Sequence, residues 1–206
     1  MTKMMKRILA AALALSMVFA CGCALFQRAP EELTAELAQM NTILVHKDGS
    51  VESLLVEEFP DTYQVEELKT YVEKAAAAFN AENGEGAVTV KDVSAAEGKA
   101  VVILQYRDAA DFAAFNNMEM QAGVGNHVSN PPAKVLNPKG EESEAVLVLT
   151  DQYQAVYLGV PAEGENAYRV IVPSKVAYYD GGELTDAFTV TGDGTKPLTV
   201  LYKVKK

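Results

Sequence analysis

Tryptophan is absent from the 206 residues, and cysteine and histidine occur only twice each. Both cysteines, Cys21 and Cys23, lie near the amino end, which excludes a disulfide scaffold, a cysteine-based zinc site and thiol catalysis from the rest of the chain. Positive charge is scarce as well: 18 Lys and Arg stand against 28 Asp and Glu, a formal net charge of −10. A phosphate backbone needs a basic surface, so the chain is read as having no nucleic-acid partner. The G-x-S-x-G elbow, H-E-x-x-H, the P-loop, Ser-x-x-Lys and the EF-hand loop are all missing. No motif calls for a cofactor.

What is present begins with an export signal. Lys3, Lys6 and Arg7 precede Ile8 to Ala20, a run whose only polar member is Ser16. Val18-Phe19-Ala20-Cys21 resembles a bacterial lipobox, which implies lipid attachment at the Cys21 sulfur and cleavage after Ala20. Cys23, after Gly22, offers a second frame for the same motif. Two other readings stand beside it: an uncleaved membrane anchor over Ile8 to Phe26, near the roughly 20 apolar residues a span needs, and an ordinary secretory signal. Loss of Lys3, Lys6 and Arg7 leaves 15 basic against 28 acidic residues, a net −13, read as a solvated acidic surface.

The expected division is a lipoprotein signal peptide over 1–20, a tether over 21–38 and a single α+β domain over 39–206, with halves at 41–130 and 140–206. The 49% hydrophobic content suffices for one core. A short helix is expected within Glu31 to Met40. Asp48-Gly49-Ser50 between Thr42 to Lys47 and Val51 to Glu58 predicts a β-hairpin, because Asp-Gly tolerates positive φ. A helix capped by Asp61 follows, with Val65, Leu68, Val72, Ala76 and Phe79 on one face and Asn83-Gly84 as its stop. A second hairpin is predicted over Ala87 to Ser94 and Lys99 to Tyr106, then a short helix capped by Asp108 and bearing Phe112 and Phe115. The fold class is therefore α+β, an N-terminal ββαββα arrangement packed with a β-rich C-terminal half. Both helices contain Ala-Ala-Phe-Asn, at Ala77 to Asn80 and Ala113 to Asn116, through duplication or chance.

After an irregular connection from Asn116 to Gly140, strands are predicted at Ala145 to Thr150, Gln154 to Leu158, Tyr168 to Val172, Lys175 to Tyr179, Glu183 to Val190 and Pro197 to Val204, with Asp180-Gly181-Gly182 as a turn. Ala100 to Leu104 and Ala145 to Leu149 are apolar on both faces and so expected to be covered on both. The last strand alternates, with Leu198, Val200, Tyr202 and Val204 inward and Thr199, Lys203 and Lys205 outward, except that Leu201 breaks the pattern. Helices are expected on one side of the sheet and the β-rich half on the other.

Six features carry a resemblance: Asp48-Gly49-Ser50-Val51, Glu57-Glu58-Phe59, Glu67-Leu68, Tyr106, Asp111-Phe112 and Phe115-Asn116. Together with the lipobox, they make residues 44 to 120 similar to a group of small uncharacterised lipoproteins of Gram-positive bacteria. The group brings no assigned activity, and such turn and core residues imply shared fold rather than shared function.

Candidate chemistry is thin. His46 is expected to be an exposed strand residue beside a turn, and His127 sits in an irregular connection, where function often resides. Glu141, Glu142 and Glu144, or Asp180, Glu183 and Asp186, lack calcium-loop spacing and read as a solvated linker and a turn; no metal ligand is assigned. Gly123-x-Gly125 and Gly192-x-Gly194 read as flexible or tight turns. Tyr153, Tyr157, Tyr168, Tyr178 and Tyr179 offer contact area in the β-rich half, mostly as core, though Tyr178 and Tyr179 must face opposite sides. No catalytic residue is assigned. The expectation is a lipid-anchored, extracytoplasmic, non-catalytic binding module at the outer face of the membrane, meeting a protein, peptide or cell-wall component. An envelope-polymer hydrolase with fold-assembled carboxylates is the alternative.

Overall fold

The computed structural model describes residues 28–60, 62–161 and 167–203. The leader, Cys21, Cys23 and the capping role expected of Asp61 lie outside the described residues. Within them the chain is a strand-rich mixture of helix and strand, with its strands in two sheets.

The first hairpin joins β1 (Asn41–Val45) to β2 (Val51–Glu58). Its turn closes where Asp48 Oδ1 accepts from Ser50 N and Oγ at 3.0 and 2.7 Å and Gly49 takes φ +91°. Helix α1 (Val65–Asn83) follows and stops at Gly84, as Asn83-Gly84 predicts. It starts after Gln64, whose side chain makes no capping hydrogen bond. Val72 and Ala76 are buried, and Leu68 and Phe79 flank them. Asn80 then exchanges two 2.8 Å hydrogen bonds with the backbone of Val88, pinning the helix end to β3 (Val88–Ala96). Positive φ at Glu97 and Gly98 turns β3 tightly into β4 (Lys99–Tyr106). Asp108 caps α2 (Ala109–Asn116), accepting from Ala110 N and Asp111 N at 2.9 Å, the role its sequence position predicts.

The remaining strands are β5 (Met120–Val124), β6 (Lys134–Leu136), β7 (Glu142–Glu144), β8 (Gln154–Leu158), β9 (Tyr168–Ile171), β10 (Val176–Asp180), β11 (Gly182–Asp186), β12 (Thr189–Gly192) and β13 (Leu198–Tyr202). One sheet runs β11-β12-β9-β1-β2-β4-β3 and the other β5-β8-β13-β10-β6-β7. The division at 41–130 and 140–206 therefore does not follow the sheets. β9, β11 and β12 join the N-terminal hairpins, and β9 pairs parallel with β1.

Three further expectations are corrected. Ala145 to Leu149 is not a two-sided strand: Ala145–Val148 forms one helical turn, α3, with Val146 and Leu147 79% and 72% exposed. Five apolar residues are too few for periodicity to separate strand from helix. Glu183 to Val190 is not one strand but the β11/β12 hairpin, turned without glycine because Asp186 Oδ1 accepts from Phe188 N at 2.7 Å. The last strand is buried along its whole length, Thr199 and Leu201 included, so its alternation does not mark an exposed face.

The layering also differs from the expected sandwich. On the larger sheet, Ile43, Val45, Val51, Leu104, Tyr106, Val170 and Val190 point to one face, where α1, α2 and the second sheet all join the same cluster. The opposite face presents Leu44, Leu54, Val56, Val101, Ile103 and Ile171, which open water would penalise. Ala29, Leu33, Leu37 and Ala38 cover it. The expected tether is thus folded from residue 29 onward, and of the helix expected over 31–40 only a 3-10 turn, Ala35–Leu37, forms. No helix among the described residues is long and apolar enough to cross a membrane.

Candidate functional site

Strand β9 belongs to one sheet and β10 to the other, so Val172-Pro173-Ser174-Lys175 must cross between them. The crossover is clamped by the β11/β12 turn: Val172 N donates to Phe188 O at 3.0 Å and Val176 N to Ala187 O at 2.8 Å. Register then aims the side chains. Tyr179 stands opposite Val200 and packs on the core, whereas Tyr178, opposite Leu201, points away from it. Tyr153, just before β8, meets Tyr178 edge to face at 5.7 Å and 80°. Lys203 Nζ lies 5.0 Å from the Tyr153 ring centre, a cation–π arrangement.

Tyr153, Tyr178, Lys175, Lys203, Pro173 and Phe188 line a groove of about 690 Å³, within the range of ligand sites. No His, Asp or Glu lies among its described lining residues, so it offers contact area and positive charge but no acid or base near neutral pH. Pro173 and Phe188 also wall a second concavity of about 540 Å³, which continues past His46 and Lys47 to Arg28.

His46 is not the exposed residue expected of it. Its side chain is 21% exposed and its Nε2 lies 3.6 Å from Oε1 of Glu52, itself buried to 3% exposure. The other Glu52 oxygen accepts from Leu33 N at 2.7 Å. Burial pushes the Glu52 carboxyl up, but the facing imidazole and the Leu33 amide outweigh it and hold the group below its ordinary value. Nearby, Arg169 donates through Nε to Thr42 Oγ1 at 2.9 Å and through Nη2 to Leu37 O at 2.7 Å, fastening the covering segment a second time. These bonds fasten the covering segment to the sheet.

His127 is exposed at the end of a 3-10 turn, Gly125–His127. Glu142 pairs with Lys134 at 2.7 Å on exposed strands, Glu141 accepts from Asn137, and Glu144 ends β7. Asp186 holds its turn, while Asp180 and Glu183 flank Gly181. Among the described residues no three His, Cys, Asp or Glu gather as a metal site. Gly194 takes φ +77° in a turn, and Gly125 is packed against Thr150 and Tyr153 carbonyls rather than flexible.

Of the five tyrosines, Tyr157 and Tyr168 are buried and Tyr179 packs inward, leaving Tyr153 and Tyr178 as the outward pair. Sequence reasoning missed Lys175, Pro173 and Phe188. The available signal was Pro-Ser-Lys between two strands that join different sheets. Comparison with known protein families, with curated proteins and with solved structures returned no match.

Proposed function

We propose that the protein is a lipid-anchored, extracytoplasmic binding module, held at the outer face of the membrane through Cys21 and engaging a protein, peptide or cell-wall component with the groove at the β9–β10 crossover. The observation that carries the reading is the outward Tyr153–Tyr178 pair in a concavity whose described lining holds lysines but neither histidine nor carboxylate. Retaining and inverting glycosidases need two carboxyls about 5 to 10 Å apart across the bond they cut, which this groove does not offer. The location rests on the leader and lipobox of the sequence, and two or more acyl chains at about 0.8 kcal/mol per methylene suffice to anchor the chain. The run from β1 to α2, a ββαββα order, is proposed as the framework shared with the small lipoproteins of Gram-positive bacteria that residues 44 to 120 resemble.

The test has two readouts on the full chain purified from membranes. Intact mass is expected to show loss of the leader after Ala20 and a lipid-modified Cys21. Incubation with envelope polymers is expected to retain the protein without shortening them. An unmodified Cys21 sulfur removes the anchor from the proposal, and release of soluble polymer fragments establishes the hydrolase instead.

A further inference from the structure

We infer that the two joined concavities form one cleft for an acidic peptide segment, with an aromatic or aliphatic side chain seated on Tyr178 and flanking carboxylates on Lys47, Lys175 and Lys203. The inference rests on the binding-module reading above and names the ligand class of that site.

Concavities of about 690 and 540 Å³ share Pro173 and Phe188 in their linings, so they adjoin at the crossover. Each alone has the volume of a small-molecule site, and in tandem they fit an extended chain better than one compact ligand.

The chain carries a net −10, yet this cleft inverts the sign. Lys47, Lys175 and Lys203 are exposed, and none has a carboxylate within ion-pair distance among the described residues. Two acids reach the cleft: Asp48, whose Oδ1 accepts two bonds from Ser50, and Glu31, which lies 3.6 Å from Arg28. Lys47, Lys175, Lys203 and Arg28 against Asp48 and Glu31 leave the described lining with an excess of positive charge, which favours an anionic ligand over a cationic one.

The apolar part of the lining separates peptide from polyphosphate. Val176, Ala177, Pro173 and Phe188 make the wall beside the tyrosines apolar, which a phosphate chain has no group to fill. Phosphate is favoured by guanidinium forks and helix N-termini, and Arg28, the cleft's guanidinium, is engaged with Glu31. Lone ammonium groups beside an apolar shelf match carboxylates interspersed with hydrophobic side chains.

The probe is a labelled, N-acetylated and C-amidated peptide Glu-Glu-Phe-Glu-Glu, titrated by fluorescence anisotropy into the full chain in nanodiscs of neutral lipid. Its Gln-Gln-Phe-Gln-Gln counterpart and inorganic polyphosphate serve as comparisons. The acidic peptide is expected to bind on the order of 10-fold tighter than the glutamine peptide, more weakly as salt rises, and on the order of 10-fold more weakly to the Lys175→Glu/Lys203→Glu variant. Tyr178→Ala should weaken both peptides, and Lys74→Glu on α1 should change nothing. Circular dichroism verifies that each variant is folded.

Equal binding of the two peptides, or polyphosphate binding tighter than either, overturns the acidic-peptide assignment. Absence of peptide binding overturns it too. A photoreactive residue at position 178 then separates the two levels: position-specific labelling of an envelope component preserves the groove as a site, and no labelling removes both.

Discussion

Leu33 N donates to Glu52 Oε2 at 2.7 Å, joining a segment that sequence assigns to a tether to a carboxylate inside the sheet it covers. The bond explains why an acidic residue is tolerated at 3% exposure in β2. Removing the side chain as Glu52→Ala leaves the Leu33 amide without its acceptor and His46 without the carboxylate it faces, and should destabilise the fold by about 1 to 3 kcal/mol. Glu52→Gln keeps an acceptor and should cost less. Urea unfolding of the three proteins at neutral pH checks the order; equal midpoints would show that the strap is not held by Glu52.

The same carboxylate gives stability a defined pH dependence. Its folded value lies below the ordinary 4.5, so its contribution is complete above that value and disappears as pH falls through the lowered one. His46 faces it, and Lys91 adds a weaker attraction. The stability gap between wild type and Glu52→Gln should be at its full width above pH 4.5 and narrow as pH falls below it. A gap that stays constant would contradict the assignment.

Gly181 marks the corner where β10 leaves one sheet and continues as β11 in the other. It takes φ +82°, and a Cβ there would collide with the Pro197 carbonyl oxygen. Gly181→Ala should therefore cost about 3 kcal/mol, combining backbone strain with overpacking. Gly140 has φ +80° but open space around it, so Gly140→Ala should cost only about 1 kcal/mol. Similar losses at the two sites would mean that the corner is not tightly packed.

Leu147 tests the helical turn that replaces an expected buried strand. Being 72% exposed, it should accept Leu147→Lys with a change under about 0.5 kcal/mol. A loss of several kcal/mol would restore the buried strand.

Local rules made the N-terminal half legible. Asp48-Gly49, the α1 stripe, the Asp108 cap and the stop at Gly84 are each decided by neighbours within a turn or two. What sequence left hidden depends on partners far along the chain. Leu33 and Leu37 resemble the start of a weak helix until the bare face of Leu44, Leu54 and Ile103 is known. Glu183 to Val190 reads as one strand because its turn is made by Asp186, without glycine or proline. The groove is the extreme case: Tyr153, Tyr178 and Lys203 come from three strand neighbourhoods, and only register turns Tyr178 out while Tyr179 turns in. An alternating pair of tyrosines announces that one faces outward but not which.

The most direct measurement places a photoreactive residue at position 178 of the membrane-anchored protein on cells, with position 71 on α1 as a more exposed control, since Tyr71 is 73% exposed and Tyr178 half-buried. The account predicts discrete envelope adducts at 178 that are absent at 71 and lost with Tyr153→Ala. Indistinguishable labelling at the two positions would contradict it.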